Sequence, residues 1–163
     1  MRSLGAPVVA GGLAAVLLSR VRRDESGGLA RPDEGWGCEV EDVNRAVIEG
    51  YWQAIRDGDM HRMADAYTDD AIQQWPQSGE RVVGKANILA ITENYPGLPK
   101  ATVRRLVGSG DLWVSEVTLE YGGDRYEAVS ILEMRDGKIA RETDYFAAPF
   151  EAPQWRAQWT ERL

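Results

Sequence analysis

The chain has 163 residues, of which 44% are hydrophobic, and its 26 acidic and 19 basic side chains give a formal net charge of −7. This length supports one compact domain with a hydrophobic core. The acidic balance argues against nucleic acid or a membrane surface as a partner, because both require a basic footprint. A single Cys and a single His exclude a disulfide framework and a zinc site made of several such residues, so no metal is predicted. Any chemistry must therefore use carboxylates, aromatic side chains or amides.

Residues 1–37 are predicted to form an apolar leader and a linker, separate from a domain over residues 38–163. Residues 4–18 are apolar throughout, shorter than the roughly 20 residues that a membrane-spanning helix needs. A signal peptide or anchor is the alternative, but residues 20–25 are charged where small residues should mark a cleavage site. The stretch 26–37, rich in Gly, Pro and charge, is typical of a linker. We therefore expect a cytoplasmic protein.

Helices are predicted first along the domain. Apolar residues recur at three- and four-residue spacing from Val40 to Ile55, which indicates an amphipathic helix. Asp59 can cap a second helix, which Asp69-Asp70 ends. One face of this helix carries Met60, Met63, Ala64 and Tyr67. A short strand over 71–75 is predicted to follow it. Gly84 opens a third helix, which Pro96 stops.

Strands follow the helices. Alternation and turn signals predict four strands, over residues 102–107, 113–121, 126–134 and 138–146. Hairpin turns at Gly122-Gly123 and Asp136-Gly137 join the last three of them. Helices followed by an antiparallel meander indicate an α+β fold. The tail from Pro153 places Trp155 and Trp159 at helical spacing, and we expect them to bury over a pocket mouth or against a second subunit.

Several short motifs, in this order and spacing, resemble the nuclear transport factor 2-like superfamily and, within it, the SnoaL-like (polyketide cyclase-like) domains. The motifs are Gly58-Asp59, Tyr67-Thr68-Asp69-Asp70-Ala71, Gly84, Asp136-Gly137-Lys138-Ile139 and Asp144-Tyr145-Phe146. The resemblance covers about residues 40–150. It implies a cone-shaped, curved antiparallel sheet with N-terminal helices enclosing an apolar pocket, and pairing into homodimers through the outer sheet face. The expected partner is a small apolar molecule, with no cofactor.

Asp144 is the candidate catalytic residue. Enzymes of the SnoaL-like cyclase and limonene epoxide hydrolase-like types carry an acidic residue at the matching place on the last strand. A carboxylate in an apolar cone is desolvated, which raises its pKa toward the range of a general base or acid. The alternative is a strand carboxylate paired with Arg104 or Arg105. Glu142 shares the face of Asp144, either as a second carboxylate of the site or as a solvated residue at the rim.

Four further side chains are candidates for ligand binding. Alternation puts Gln73 and Trp75 on one face of the first strand, where the amide can polarise a carbonyl and the indole can form an apolar wall. Tyr67 and Tyr126 can donate to a ligand oxygen. Each of the four has an alternative interpretation as an ordinary core or strand-end residue.

Two departures from enzyme patterns of this superfamily limit the function. The epoxide hydrolases need Arg-x-Asp on a middle strand, where this chain has Glu116-Val117-Thr118, so epoxide hydrolysis is disfavoured. Ketosteroid isomerases carry a base where this chain has Trp75, directly before Pro76. The sequence thus favours a small-molecule-binding domain with isomerase- or cyclase-like proton transfer by Asp144, or alternatively a non-catalytic ligand-binding or dimerisation module.

Overall fold

The computed structural model describes the backbone of residues 36–162 and the side chains of residues 43–162. The leader predicted for residues 1–37 therefore lies almost entirely outside the described residues. Within the described part, no helix combines the length and the apolar character needed to cross a membrane.

The described residues form three α-helices and a short 3-10 helix, and the α-helices contact the sheet. Their bounds are α1 Trp36–Asp57, α2 Met60–Asp65, α3 Lys85–Asn94 and the 3-10 helix Gln154–Trp159. The inner face of α1 buries Ile48, Tyr51, Trp52 and Ala54, as its apolar spacing predicts. Asp59 caps α2, since its Oδ1 accepts a hydrogen bond of 2.9 Å from the Arg62 backbone N–H.

Six strands form one curved, open sheet, which confirms the α+β class. The strands are β1 Tyr67–Trp75, β2 Glu80–Val83, β3 Lys100–Ser109, β4 Leu112–Tyr121, β5 Asp124–Arg135 and β6 Lys138–Ala147. Their order is β2-β1-β6-β5-β4-β3. The meander β3 to β6 is antiparallel as predicted, whereas β1 lies parallel to β6. This places β6 near the middle of the sheet, with β1 and β5 on its two sides.

Tight turns fix the register of the meander. Asp136 and Gly137 adopt φ values of 53° and 72°, the left-handed conformation of a two-residue hairpin. Gly108, with φ 155°, allows a close approach, because a Cβ there would lie 2.4 Å from the Leu112 carbonyl oxygen. A side chain at position 108 is therefore incompatible with the close approach of β3 and β4 beside their turn.

A bulge in β6 points its acidic residues inward. Glu133 of β5 pairs with Arg141 and Met134 pairs with Ile139, so Ala140 is the extra residue. Because of this extra residue, Ile139 and Glu142 are both buried although three positions separate them. Alternation then continues from Glu142 to Asp144, which are also buried.

The segment after α2 differs from the prediction. Tyr67, predicted on the second helix, is the first residue of β1 and pairs with Ile139. Asp69 and Asp70, predicted to close that helix, also belong to β1, where Asp69 Oδ1 lies 2.7 Å from Lys85 Nζ and Asp70 pairs with Arg135. Pairing with β6, a contact distant in sequence, overrides the local helical spacing.

Candidate functional site

A cavity of about 800 Å³ lies between the helices and the inner face of the sheet. Its walls are largely apolar and aromatic, with contributions from α1, α3 and the ends of β1, β4 and β5. Glu142 and Asp144 of β6 also line it, as do Gln73 and Trp75 of β1. The cavity thus joins an apolar wall to a compact polar region built on adjacent strands.

Glu142 is completely buried, so the expectation of a solvated residue at the rim is wrong. Tyr51 donates a hydrogen bond of 3.0 Å to Glu142 Oε1, and the Tyr67 hydroxyl donates to Oε2. Gln73, its direct neighbour across the β1–β6 pairing, donates to Oε2 at 3.2 Å. Burial, and secondly the nearby charge of Asp144, raise the pKa of Glu142 well above its usual range.

Asp144 is 4% exposed and accepts three hydrogen bonds from neutral donors. Ser130, directly opposite on β5, donates to Oδ1 at 2.6 Å, and Gln73 Nε2 and Trp75 Nε1 each donate to Oδ2 at 3.2 Å. Burial raises the pKa of Asp144, and the hydrogen bonds from these donors oppose that rise.

The two carboxyl groups behave as a pair that keeps one proton. Like charges so close in an apolar site cannot both be carried at little cost, so one group stays protonated. Both groups are buried and both pKa values are raised, so the pair titrates as a unit.

The predicted ion pairs of Asp144 with Arg104 or Arg105 do not form. Arg104 lies 3.2 Å from Glu127, and Arg105 pairs with Glu116 on the adjacent strand. Register explains the outcome, because Arg105 and Glu116 face each other across β3 and β4. Asp144 is accordingly a buried carboxylate held by neutral groups.

The structure brings most of the predicted ligand-binding residues to the cavity. Gln73, Trp75, Tyr126 and Glu142 line it together with Asp144. Tyr67 is fully buried and is not among the lining residues, since its hydroxyl is directed at Glu142. Tyr67 thus reaches the site as a partner of the carboxyl pair.

Two residues of the site were missed in the sequence. Tyr51 lies within the apolar repeat of α1, and nothing near it in sequence indicates a buried acceptor for its hydroxyl. Ser130 occupies the inward row of β5 with Ala128 and Leu132. A lone hydroxyl in that apolar row was the available signal.

The C-terminal tryptophans are exposed in the single chain, so the expected contact with a second subunit stays a prediction. The 3-10 helix leaves Trp155 and Trp159 73% and 72% exposed, and neither lines the cavity. They form no lid over the mouth in this chain. Within residues 43–162, no group of three or more His, Cys, Asp or Glu is arranged to hold a metal ion.

Comparisons with known proteins agree on one family. The SnoaL-like domain family matches residues 48–142, more than half of the chain. No curated protein matches significantly. An NTF-2 like protein of unknown function from Burkholderia xenovorans LB400 is 44% identical, with a TM-score of 0.69, over 75% of this chain and 96% of that one.

Two further solved structures extend the comparison. A putative ketosteroid isomerase from Kribbella flavida DSM 17836 is 30% identical, with a TM-score of 0.71, over 76% of this chain and 91% of that one. An LEH-like epoxide hydrolase from M. tuberculosis, at 20% identity and a TM-score of 0.58 over 66% and 84% of the two chains, shares the fold. The chain belongs to the SnoaL-like domain family of the nuclear transport factor 2-like superfamily.

Proposed function

We propose that the cavity binds a small, largely apolar molecule and that Asp144 transfers a proton on it, in an isomerase- or cyclase-like reaction that needs no cofactor. The observation that carries this proposal is the buried carboxyl pair in the cavity wall, of which Asp144 is held by neutral donors only. The 30% identity to a putative ketosteroid isomerase supports the same class of reaction.

Asp144 has the properties of a general base. A carboxylate offers about four acceptor positions, and three are taken by Ser130, Gln73 and Trp75, so one is left for a substrate proton. Burial raises its pKa toward neutral pH, where proton transfer is most effective. The hydrogen bonds from Ser130, Gln73 and Trp75 oppose this rise, so the charge stays available to the reaction.

The proposed step removes a proton from a carbon next to a carbonyl group. The C–H bond breaks, its proton binds to Asp144, and the electron pair moves through the new C=C bond onto the carbonyl oxygen. Tyr126, which lines the same cavity, is the proposed hydrogen-bond donor to that oxygen. In a β,γ-unsaturated carbonyl compound, return of the proton from Asp144 to the γ carbon shifts the double bond and completes an isomerisation. In a compound with a second carbonyl, the enolate carbon would form a C–C bond to that carbonyl carbon, and the proton on Asp144 would pass to the resulting alkoxide to complete a cyclisation.

Glu142 is the proposed positioning residue. In the proposed arrangement Glu142 is the protonated member of the pair, and Tyr51 and Tyr67 donate hydrogen bonds to its oxygens. A charge at Glu142 would drive Asp144 toward protonation, so the proton on Glu142 keeps the base in its active form.

Isotope exchange tests this proposal without knowledge of the natural substrate. The protein is incubated in D₂O with the apolar ketone 2-tetralone, and exchange at its α carbons is followed by proton NMR. We expect protein-dependent exchange that falls about 100-fold or more in Asp144→Asn, as for loss of a general base. The control is Glu120→Gln, which removes an exposed carboxylate that does not line the cavity.

The alternative is a ligand-binding or dimerisation module without catalysis. The specific observation in its favour is Trp75 at the position where ketosteroid isomerases carry a base. That module would bind apolar ligands equally well in the wild type and in Asp144→Asn, and neither protein would accelerate exchange.

We also propose a cytoplasmic homodimer that pairs through the outer face of the sheet. Val107, Val114 and Ile131 form an outward apolar row across three strands, and Val107 is 45% exposed. Light scattering of the wild type and of Ile131→Lys tests the pairing, since the variant is expected to be monomeric.

Cell fractionation tests the proposed cytoplasmic location. An unchanged fold in a chain beginning at Gly35 tests the proposed domain boundary.

A further inference from the structure

The charged side chains that line the cavity all have the same sign. They are Glu142, Asp144, Glu80 and Asp124, and among the described residues no lysine, arginine or histidine lines it. Six basic residues adjoin a lining residue in sequence, and none of them lines the cavity: Arg56, Arg62, Arg81, Lys100, Arg125 and Arg141. With one proton on the inner pair, the wall carries a formal charge of about −3 at neutral pH.

The acids occupy two levels of the cavity. Asp144 is buried, whereas Glu80 and Asp124 are exposed at strand ends. Glu80 faces Trp75 across β1 and β2, and Asp124 closes the β4–β5 hairpin opposite Tyr121. The two exposed acids therefore flank the open end, where they attract a positively charged molecule from solution.

Three tyrosines line the cavity in contact with one another, and one of them, Tyr126, lies on β5 between Asp124 and Ser130, the residue opposite Asp144. The ring centroids of Tyr95 and Tyr121, and of Tyr121 and Tyr126, are each 5.7 Å apart, and all three residues line the cavity. Burial, with the charges of neighbouring groups including Asp144, raises the pKa of Tyr121 to about 12, so this ring stays neutral. Neutral aromatic faces bind cations well, and better when water is excluded.

We propose that the ligand of this cavity is an amphipathic organic cation, a protonated amine on an apolar body, whose ammonium group lies against Tyr95, Tyr121 and Tyr126 between Asp144 and the two exposed acids. The apolar body then fills the remainder of the cavity and brings its reacting carbon to Asp144. This inference rests on the proposed binding function and specifies its ligand class. An anionic ligand is excluded by the same charges.

Three matched probes test the ligand class: 2-(1-naphthyl)ethylamine, 2-(1-naphthyl)ethanol and 1-naphthylacetate, which share one apolar body and differ in charge. Isothermal titration calorimetry at low salt is expected to show the amine binding about tenfold more tightly than the alcohol, with the acetate weakest. The preference for the amine is expected to fall as salt is added, because the exposed acids are screened.

Two double variants test whether the preference for the amine comes from the acids that line the cavity. Glu80→Gln with Asp124→Asn is expected to reduce the amine preference several-fold and to leave the affinity for the alcohol unchanged. Glu93→Gln with Glu120→Gln removes the same charge from residues that do not line the cavity, and is expected to keep the full preference. Equal loss in the two variants would overturn the inference, because the effect would then come from net charge alone.

The outcomes also separate this inference from the function on which it rests. Binding of the alcohol as tightly as the amine would overturn the cationic ligand and leave the apolar cavity in place as the binding site. Failure of all three probes to bind would overturn the inference and the proposed binding function together.

Discussion

Glu142 and Asp144 lie two residues apart on β6 and share one donor, since Gln73 Nε2 is 3.2 Å from an oxygen of each. Both are buried, and neither forms an ion pair among the described residues. Their local chemistry differs, because tyrosines surround the first carboxyl and a serine, an amide and an indole surround the second. In the proposed mechanism this difference in donors keeps the proton on Glu142 and the charge on Asp144.

Glu142→Gln is expected to flatten the pH dependence of stability. The pKa of Glu142 is raised in the folded state, so above the unfolded pKa the folded protein holds a proton that the unfolded chain has released. The wild type therefore loses stability as pH rises from about 4.5, by up to about 1.4 kcal/mol per pH unit for one proton. Glutamine keeps the neutral shape and has no proton to lose.

Urea unfolding followed by tryptophan fluorescence between pH 5 and 8 measures this effect. The free energy of unfolding of Glu142→Gln should rise relative to the wild type as pH increases. Parallel curves for the two proteins would contradict a raised pKa at Glu142.

Ser130→Ala is expected to move the acidic limb of the exchange rate to higher pH. Ser130 donates the shortest hydrogen bond to Asp144, 2.6 Å, and stabilises its charge, so its loss raises the pKa of Asp144 further. Ser115→Ala is the matched control, because this equally buried serine on β4 accepts from Trp52 at 2.9 Å. The pH–rate profile should shift in the first variant only, and an equal shift in both would exclude the specific role of Ser130.

Tyr67→Phe is expected to destabilise the fold by about 1–3 kcal/mol, since it removes a buried donor from Glu142. Tyr145→Phe, at an outward position that is 44% exposed, should change stability by less than about 0.5 kcal/mol. Chemical denaturation of both variants at pH 6 measures the difference. Equal stability of the two would show that the Tyr67 hydroxyl contributes nothing to holding the pair.

Gly108→Ala is expected to destabilise the protein by more than about 2 kcal/mol, because its Cβ would collide with the Leu112 carbonyl oxygen. Gly50→Ala offers the opposite case. Gly50 lies inside α1 with open space at its Cβ position, so alanine should stabilise the helix by up to about 1 kcal/mol. Thermal unfolding of the two variants should give shifts of opposite sign, and a neutral Gly108→Ala would contradict the close approach.

The meander could be predicted from sequence because its signals are local. Alternation along β4 and the Asp136-Gly137 turn fix side-chain direction and register within a few residues. The same alternation placed Glu142 beside Asp144 and Gln73 beside Trp75, and all four residues meet at the cavity.

The remaining features depend on contacts between distant segments. The assignment of Tyr67 to a helix was wrong because this residue pairs with Ile139 of β6, more than seventy residues later. The four-residue strand β2 is too short to carry a periodic signal. The burial of Glu142 depends on the bulge at Ala140 and on hydroxyls from α1 and β1, none of which alternation alone reveals.

The most direct test of the central claim, one proton held by Glu142 beside a charged Asp144, is a carbon-13 NMR titration of the side-chain carboxyl groups. Assignment comes from Asp144→Asn and Glu142→Gln. We predict that the pKa of Glu142 lies well above the usual range of a glutamate. The pKa of Asp144 is expected to be lower than that of Glu142 but still raised above the usual range of an aspartate. Titration of both groups near their ordinary values, or a proton retained on Asp144 while Glu142 is charged, would contradict the account.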